Sequence, residues 1–271
     1  MTARRIAVVA VHVFKETVRD RVLYAIGAFA LLLVAASVLI GQITAGQDVK
    51  IIKDLGLATI ELAGVLMTVF IGVGLVAREI ERRSIYSLLA KPLPRWEFIV
   101  GKYCGLVLTL AVNIAAMTVA LYVMLAWMNW TSPINIQHSW DTPAMDVRLL
   151  ISVLLIFAEM ALLTAIALFF STFSSSALWS VVFTLGFFVA GLESQDLRNF
   201  GDIVDAPFMA HIVSAIGWVV PAFSAFDVKL QVVHGIHVPA GFVLQTLLYA
   251  AIYIGVALAA AVGLFSRREF K

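Results

Sequence analysis

AREIERRSIYSLLAKPLPRWEFIVGKY, residues 77–103, decides how the rest of the chain is read. Six basic residues, Arg78, Arg82, Arg83, Lys91, Arg95 and Lys102, lie here between two long apolar segments. A bilayer interior does not hold that much charge without partners, and short loops rich in Lys and Arg stay on the cytoplasmic side. Residues 78–102 therefore read as a cytoplasmic connection that orients both neighbouring segments. Ile80, Ile85, Leu88 and Leu89, with Ser84, make an apolar stripe near helical spacing. Pro92 and Pro94 end that helix, and a second helix restarts at Arg95. A helix, a proline break and a helix entering the membrane form a stiff lever.

Working outward, the 271-residue chain is 62% hydrophobic and only 13% charged, against roughly 25% charged in a soluble domain. It reads as an all-α integral membrane protein, a single domain over 1–271. One cysteine, Cys104, excludes an intramolecular disulfide and a Cys-rich metal site. No cleavable signal pattern opens the chain. Residues 1–21 read instead as an amphipathic helix in the interface, with Arg5, His12, Glu16 and Arg19 on one face and Ala10, Val13, Phe14 and Val18 towards the other. The plainer alternative is a charged tail that only retains the N-terminus inside.

A crossing helix needs about 20 mostly apolar residues. Six spans satisfy this: 22–43, 57–77, 103–128, 147–170, 177–192 and 241–265, the fifth being short. Fourteen of the 19 Lys and Arg residues then fall on the same side as residues 78–102, and Lys50, Lys53, Arg148, Arg198 and Lys229 on the other. Both termini are expected inside. The external connection 41–56 is short. The next, 129–146, has Trp127, Trp130 and Trp140 near its ends, where indole rings favour the interface, and Pro133 and Pro143 within it. Residues 193–240 are longer. Glu193, Asp196, Asp202 and Asp205 precede an apolar run, 208–220, too short to span, which reads as interfacial or re-entrant, or as a loop packed on the outer face.

Motifs for catalysis are missing. Gly101-Lys102 lacks the other elements of a Walker A sequence, and no His-Glu-x-x-His or Gly-x-Ser-x-Gly pattern occurs. No catalytic or metal-ligating set is assigned. His234 and His237 lack a third ligand, and Met117, Met124 and Met128, although soft ligands for Cu(I), read better as span filler. Two acids lie in apolar segments. Glu159 is near the middle of the fourth span, where a charge costs about 2.5–3.5 kcal/mol on insertion scales. It reads either as a pathway group touching substrate or protons, or as a buried acid bonded to a neighbouring helix. Glu61, near the outer end of its span, can reach water. Asn113 reads as inter-helix glue.

The 78–102 stretch resembles the permease subunits of type-2 ABC transporters. Glu79 and Glu81, Leu88 and Leu89, Pro92, Arg95, Gly101 and Lys102 match their pattern between spans two and three. Arg83-Ser84 stands where Gly-Thr is common, and Pro94 where Ser is common. Glu-Ile-Glu-Arg-Arg before the Leu pair and Arg-Trp-Glu-Phe after the proline resemble the branch of multicopper-enzyme maturation permeases, that of nitrous-oxide-reductase copper processing. Phe14-Lys15-Glu16 with Arg19, the 171–176 serine run, Pro221 with Phe226-Asp227, and the terminal Phe265-Ser266-Arg267-Arg268 extend the likeness along the chain.

The resemblance implies six transmembrane helices, an interfacial N-terminal helix and a cytoplasmic coupling helix. It implies a multi-pass subunit of the bacterial inner membrane, paired with a second permease copy, identical or not, and with two separate ABC ATPases. ATP and Mg would bind in those ATPases, and this chain would carry no cofactor. Glu79, Glu81, Arg82, Arg83, Tyr86, Leu89, Pro92 and Arg95 would form the ATPase-docking surface, and Phe14, Lys15, Glu16 and Arg19 the amphipathic-helix contact. The expected function is export to, or work in, the cell envelope. Lipid and a periplasmic or envelope partner fit this reading, and nucleic acid does not. The alternatives are a mechanotransmission permease that passes no solute, and an ion-coupled secondary transporter, which paired broken helices would support.

Overall fold

A computed structural model describes residues 2–20, parts of 23–36, 48–72, 94–137, 140, 142–174, 176–199 and 207–267. Among these every regular element is helical. Helix α1 is Thr2–Val18, and the described residues of 23–36 are helical. Helix α2, Asp48–Met67, runs directly into a π-helical turn, Thr68–Gly72. Helix α3 is Arg95–Thr131 and α4 is Ile134–Gln137. Then come α5, Leu149–Phe173, and α6, Ala177–Leu192. The last part holds α7, Ser194–Arg198; α8, Pro207–Val219; a 3-10 turn, Phe223–Phe226; α9, Lys229–Val233; and α10, Ala240–Arg267.

The long helices exist because nothing interrupts them. Between Pro94 and Pro133, α3 meets no proline and only isolated glycines. Its 37 residues extend about 55 Å at 1.5 Å each, well beyond a ~30 Å hydrocarbon core. It thus overruns the expected span, 103–128, at both ends, and its start confirms the helix expected to restart at Arg95. α3, α5 and α10 are each long and apolar enough to cross a membrane. Residues Ile212–Val233 have the length and hydropathy too, but the backbone leaves the helix after Val219 and passes through Pro221 into a 3-10 turn. That stretch is a set of pieces, not one crossing helix. α6 is shorter at 16 residues and keeps the expected bounds.

Residues 41–56 were expected to be a short connection before a span starting at 57, but helix begins at Asp48. The charges Asp48, Lys50, Lys53 and Asp54 hide an amphipathic pattern in which Val49, Ile52, Leu57, Ile60, Ala63 and Met67 share the buried face.

α5 is the centre of the bundle. It is apolar on all sides, as a helix surrounded by others must be, and Leu155, Met160, Leu162, Leu163, Ala165, Ala167 and Leu168 are all buried. It packs against α2, α3, α6 and α10. Two bonds fix the directions. Tyr122 Oη of α3 donates to the Asp146 carbonyl just before α5 (2.8 Å), and Arg95 of α3 reaches the last turn of α10. α5 and α10 therefore run antiparallel to α3. The bundle has an Arg95 end and a Thr131 end.

Candidate functional site

Residues 73–93, with Glu79, Glu81, Arg82, Arg83, Tyr86, Leu89 and Pro92, lie outside the described residues. Both chain segments that flank them are described. On one side α2 finishes in the π turn Thr68–Gly72, where the regular i→i−4 ladder gives way to wider spacing. On the other side α3 begins at Arg95 directly after Pro94, which has an extended backbone (φ −58°, ψ 135°).

The first three turns of α3 are gripped by two other helices. α1 lies against Gly101 and Gly105, one helical turn apart in Gly-Lys-Tyr-Cys-Gly. A Cβ at Gly101 would sit 2.7 Å from Val9 Cβ, and one at Gly105 would sit 2.6 Å from the Ala10 carbonyl oxygen. Only glycine permits that approach, which is how small residues four apart bring two helices into backbone contact. The α1 face so used is Ala10, Val13 and Thr17, all buried. Arg5, His12, Lys15, Glu16 and Arg19 remain exposed and Phe14 half-buried. The expected amphipathic helix is there. Its polar face carries Lys15, Glu16 and Arg19, three of the four expected contact residues, and Val8 and Val11 are exposed beside them.

An ion pair crosses the same junction. Arg5 Nη1 lies 3.9 Å from Glu97 Oε2, and the Glu97 side chain is almost completely buried. No hydrogen bond reaches that oxygen. Lys102 is also buried, its ammonium 4.9 Å from the Phe98 ring centroid one turn earlier, a cation–π arrangement.

The second grip is on α10. Arg95 Nη1 donates to the carbonyls of Phe265 (3.1 Å) and Ser266 (2.6 Å). These are last-turn carbonyls, at the end where the helix dipole favours a cation. Phe98 stacks on Phe265 with centroids 6.0 Å apart, and Ile99, Ala261 and Phe265 close a small core. Of the residues expected to dock an ATPase, Arg95 is the one described, and it is bonded within the chain.

Below this junction, Thr17, Thr68, Thr109 and Thr164 surround a cavity of about 10 Å³ with Met67, Leu106 and Leu110. Three of these hydroxyls bond the carbonyl one turn back in their own helices. Thr68 Oγ1, in the π turn, is buried without a partner. The turn thus leaves a small packing defect where α1, α2, α3 and α5 meet.

The Thr131 end is held by polar groups. Lys53, fully buried, donates from Nζ to Thr142 Oγ1 (3.1 Å) and to the Pro143 carbonyl (2.8 Å). Burial pushes its pKa down, and the charge of Asp146 partly opposes this. Arg148 donates to the Gly235 carbonyl (2.7 Å). Lys229 of α9 is paired with Glu61 of α2, and Asp227 lies 3.6 Å from its ammonium. Glu61 was expected simply to reach water. It has an internal cation instead, because α2 starts nine residues earlier than the expected span and so places Glu61 deep in the helix. Glu159 lies on α5 and is 3% exposed, with Asp227 as its charged neighbour. Asn113 donates to the Thr109 carbonyl of its own helix (2.8 Å), so the expected bond to another helix is replaced by one within α3.

The apolar run 208–220 is helical up to Val219. As α8 it exposes Phe208, Met209, Trp218 and Val219, and what inserts into the bundle is the following piece, with Phe223, Phe226, Val228, Val232 and Val233 buried. Lys229 in that piece, and Gly105 and the Arg5–Glu97 pair at the other end, were missed in the sequence. The Gly-x-x-x-Gly spacing was a readable signal, as was Lys229, a lone cation after a run of acids.

None of the curated proteins compared with the chain matches it. The family model for ABC-2 family transporter proteins matches residues 7–270. That range takes in α1, both grips on α3 and the inserted piece before α10. The chain belongs to the ABC-2 family, whose members are transmembrane subunits of ABC transporters that work with ABC ATPase partners.

Proposed function

We propose that this chain is the permease of a bacterial inner-membrane ABC exporter, or of an ABC-driven envelope machine, and that ATPase motion enters through residues 78–93. The reading is supported by one observation above the others: α3, which follows this segment directly, is fastened at its first turns to α1 by glycine contact and to α10 by Arg95. A displacement of the segment would carry α1 with α3, and Arg95 would pass it on to the end of α10. The π turn on the α2 side interrupts the helix ladder where the other flank must flex. Both termini and the 78–93 segment are on the cytoplasmic side, by the weight of Lys and Arg there. Two ATPases bind ATP and Mg below a pair of permeases. The Glu-Ile-Glu-Arg-Arg and Arg-Trp-Glu-Phe runs favour the multicopper-maturation branch.

Affinity purification of the tagged chain from its native membrane tests this. A soluble ATPase is expected to accompany it and to leave when Glu79, Glu81, Arg82 and Arg83 are charge-reversed together. Retention of the ATPase by that variant would contradict the docking assignment. Absence of any ATPase from the wild-type preparation would contradict the function.

A further inference from the structure

Residues 220–233 form a strap across the Thr131 half of the bundle. Its first part is anchored by packing. A Cβ on Gly191 of α6 would fall 2.3 Å from Phe223 Cδ2 and 2.6 Å from the Pro221 carbonyl oxygen. Phe223 packs on Phe188 at 5.1 Å between centroids, and the Ala222 N–H donates to Tyr249 Oη of α10 (2.9 Å). Its second part, α9, is held differently. α9 touches α2 and α5, with Val232 and Val233 buried. The bond that crosses from it to α2 is the Lys229–Glu61 ion pair. Beyond it, the Val233 carbonyl accepts a 3.4 Å bond from Thr142.

The charges facing this spot come from three elements. α2 brings Glu61 and Asp54, α5 brings Glu159, and the strap brings Asp227 and Lys229. Three acids, Glu61, Asp54 and Asp227, face the one ammonium, and Asp227 also faces Glu159. Asp227 is half exposed while Glu159 is 3% exposed, so charge grades from the chain surface to its interior within one cluster. Lys229 offsets part of this negative charge and ties α9 to α2.

We propose that Lys229 is the latch of a gate: α9 closes the seam between α2 and α5, and release of Lys229 from Glu61 lets water and small polar solutes reach Glu159. The gate does not depend on the ATPase reading, because it is a property of the chain alone. Opening is local, since the Phe223 and Phe226 anchors on α6 and α10 stay in place while two valines, the Thr142 bond to the Val233 carbonyl and one ion pair let go.

The test uses the full chain in nanodiscs. Cys104 is replaced by Ser and Glu159→Cys is introduced as the reporter. The rate of reaction with a small charged thiol reagent is measured. With the latch intact the reaction is slow. Lys229→Met and Glu61→Gln each accelerate it about tenfold or more, the factor that loss of an interaction worth ~1.4 kcal/mol produces. The Lys229→Met/Glu61→Gln double variant is no faster than either single one, because both remove the same bond. Lys229→Arg keeps the slow rate. Val232→Cys, on α9 itself and fully buried, gives a second reporter should the Glu159→Cys protein fail to fold. Equal rates in wild type and latch variants at both reporters, or additive effects of the two substitutions, would overturn the proposal.

Discussion

The two ends of the bundle are fastened by different physics. At the Arg95 end, α1 and α3 meet through glycine, with backbone almost on backbone, and α10 is tied by an arginine to its terminal carbonyls. At the Thr131 end the elements are pinned by side chains that reach across gaps: Lys53 to Thr142 and Pro143, Arg148 to Gly235, Lys229 to Glu61. Close packing has one solution and resists deformation. A long side chain can exchange its partner or open at modest cost. The first end is suited to carry motion without losing it, and the second to open and reset.

Four substitutions sharpen or break this contrast. Gly105→Val should have the largest effect, because its side chain meets the Ala10 carbonyl and the Val13 side chain. Overpacking at such a contact costs about 3 kcal/mol, and α1 is expected to lift off. Labelling of Val9→Cys in a Cys104→Ser background should become fast, and transport should be lost. Retained transport with α1 detached would break the first half of the contrast. Arg95→Ala comes next. Loss of hydrogen bonds from a charged donor costs about 1.5–3 kcal/mol, and amide exchange around Phe265 and Ser266 should rise with little change at Val233. Arg95→Lys should recover part of the protection.

Gly191→Ala is expected to displace Phe223 for ~1–2 kcal/mol, read as faster exchange over 221–226. Exchange unchanged there would mean that the strap is not seated on α6. The smallest effect is a pH dependence at Lys53. Its pKa is lowered in the folded chain, so with rising pH the folded state gives up this proton before the unfolded state does. Stability therefore rises with pH between the folded value and the ordinary one of about 10.4. The melting temperature of wild type relative to Lys53→Met should increase as pH rises towards about 10.4. A flat difference would remove the buried ammonium from the account.

How much of this was legible in the sequence depended on whether charge and periodicity agreed. α6 and the restart at Arg95 were read correctly because a serine run and two prolines bound them. α2 was cut short because Lys50, Lys53 and Asp54 lower the local hydropathy, although the helix has a continuous buried face that Lys53 itself shares. The amphipathic face of α1 was visible, but its partner was not. Gly101 was read with Lys102 as part of a motif, and its spacing to Gly105 passed unused. Glu159 stood out by its cost in an apolar span. That Glu61, Lys229 and Asp227 belong to one cluster did not, because only the fold of the strap brings them together from distant positions.

The most direct test of the account is a pair of distances in the assembled transporter. Spin labels at His12→Cys and native Cys104, both exposed, report on α1 against α3. Labels at Cys104 and Leu178→Cys, also exposed, report on α3 against α6. Between nucleotide-free and ATP-trapped states, the account predicts that the α1–α3 distance stays the same while the α3–α6 distance shifts. A change in the α1–α3 distance, or no change in either, would contradict the claim that α3 carries α1 with it as one body.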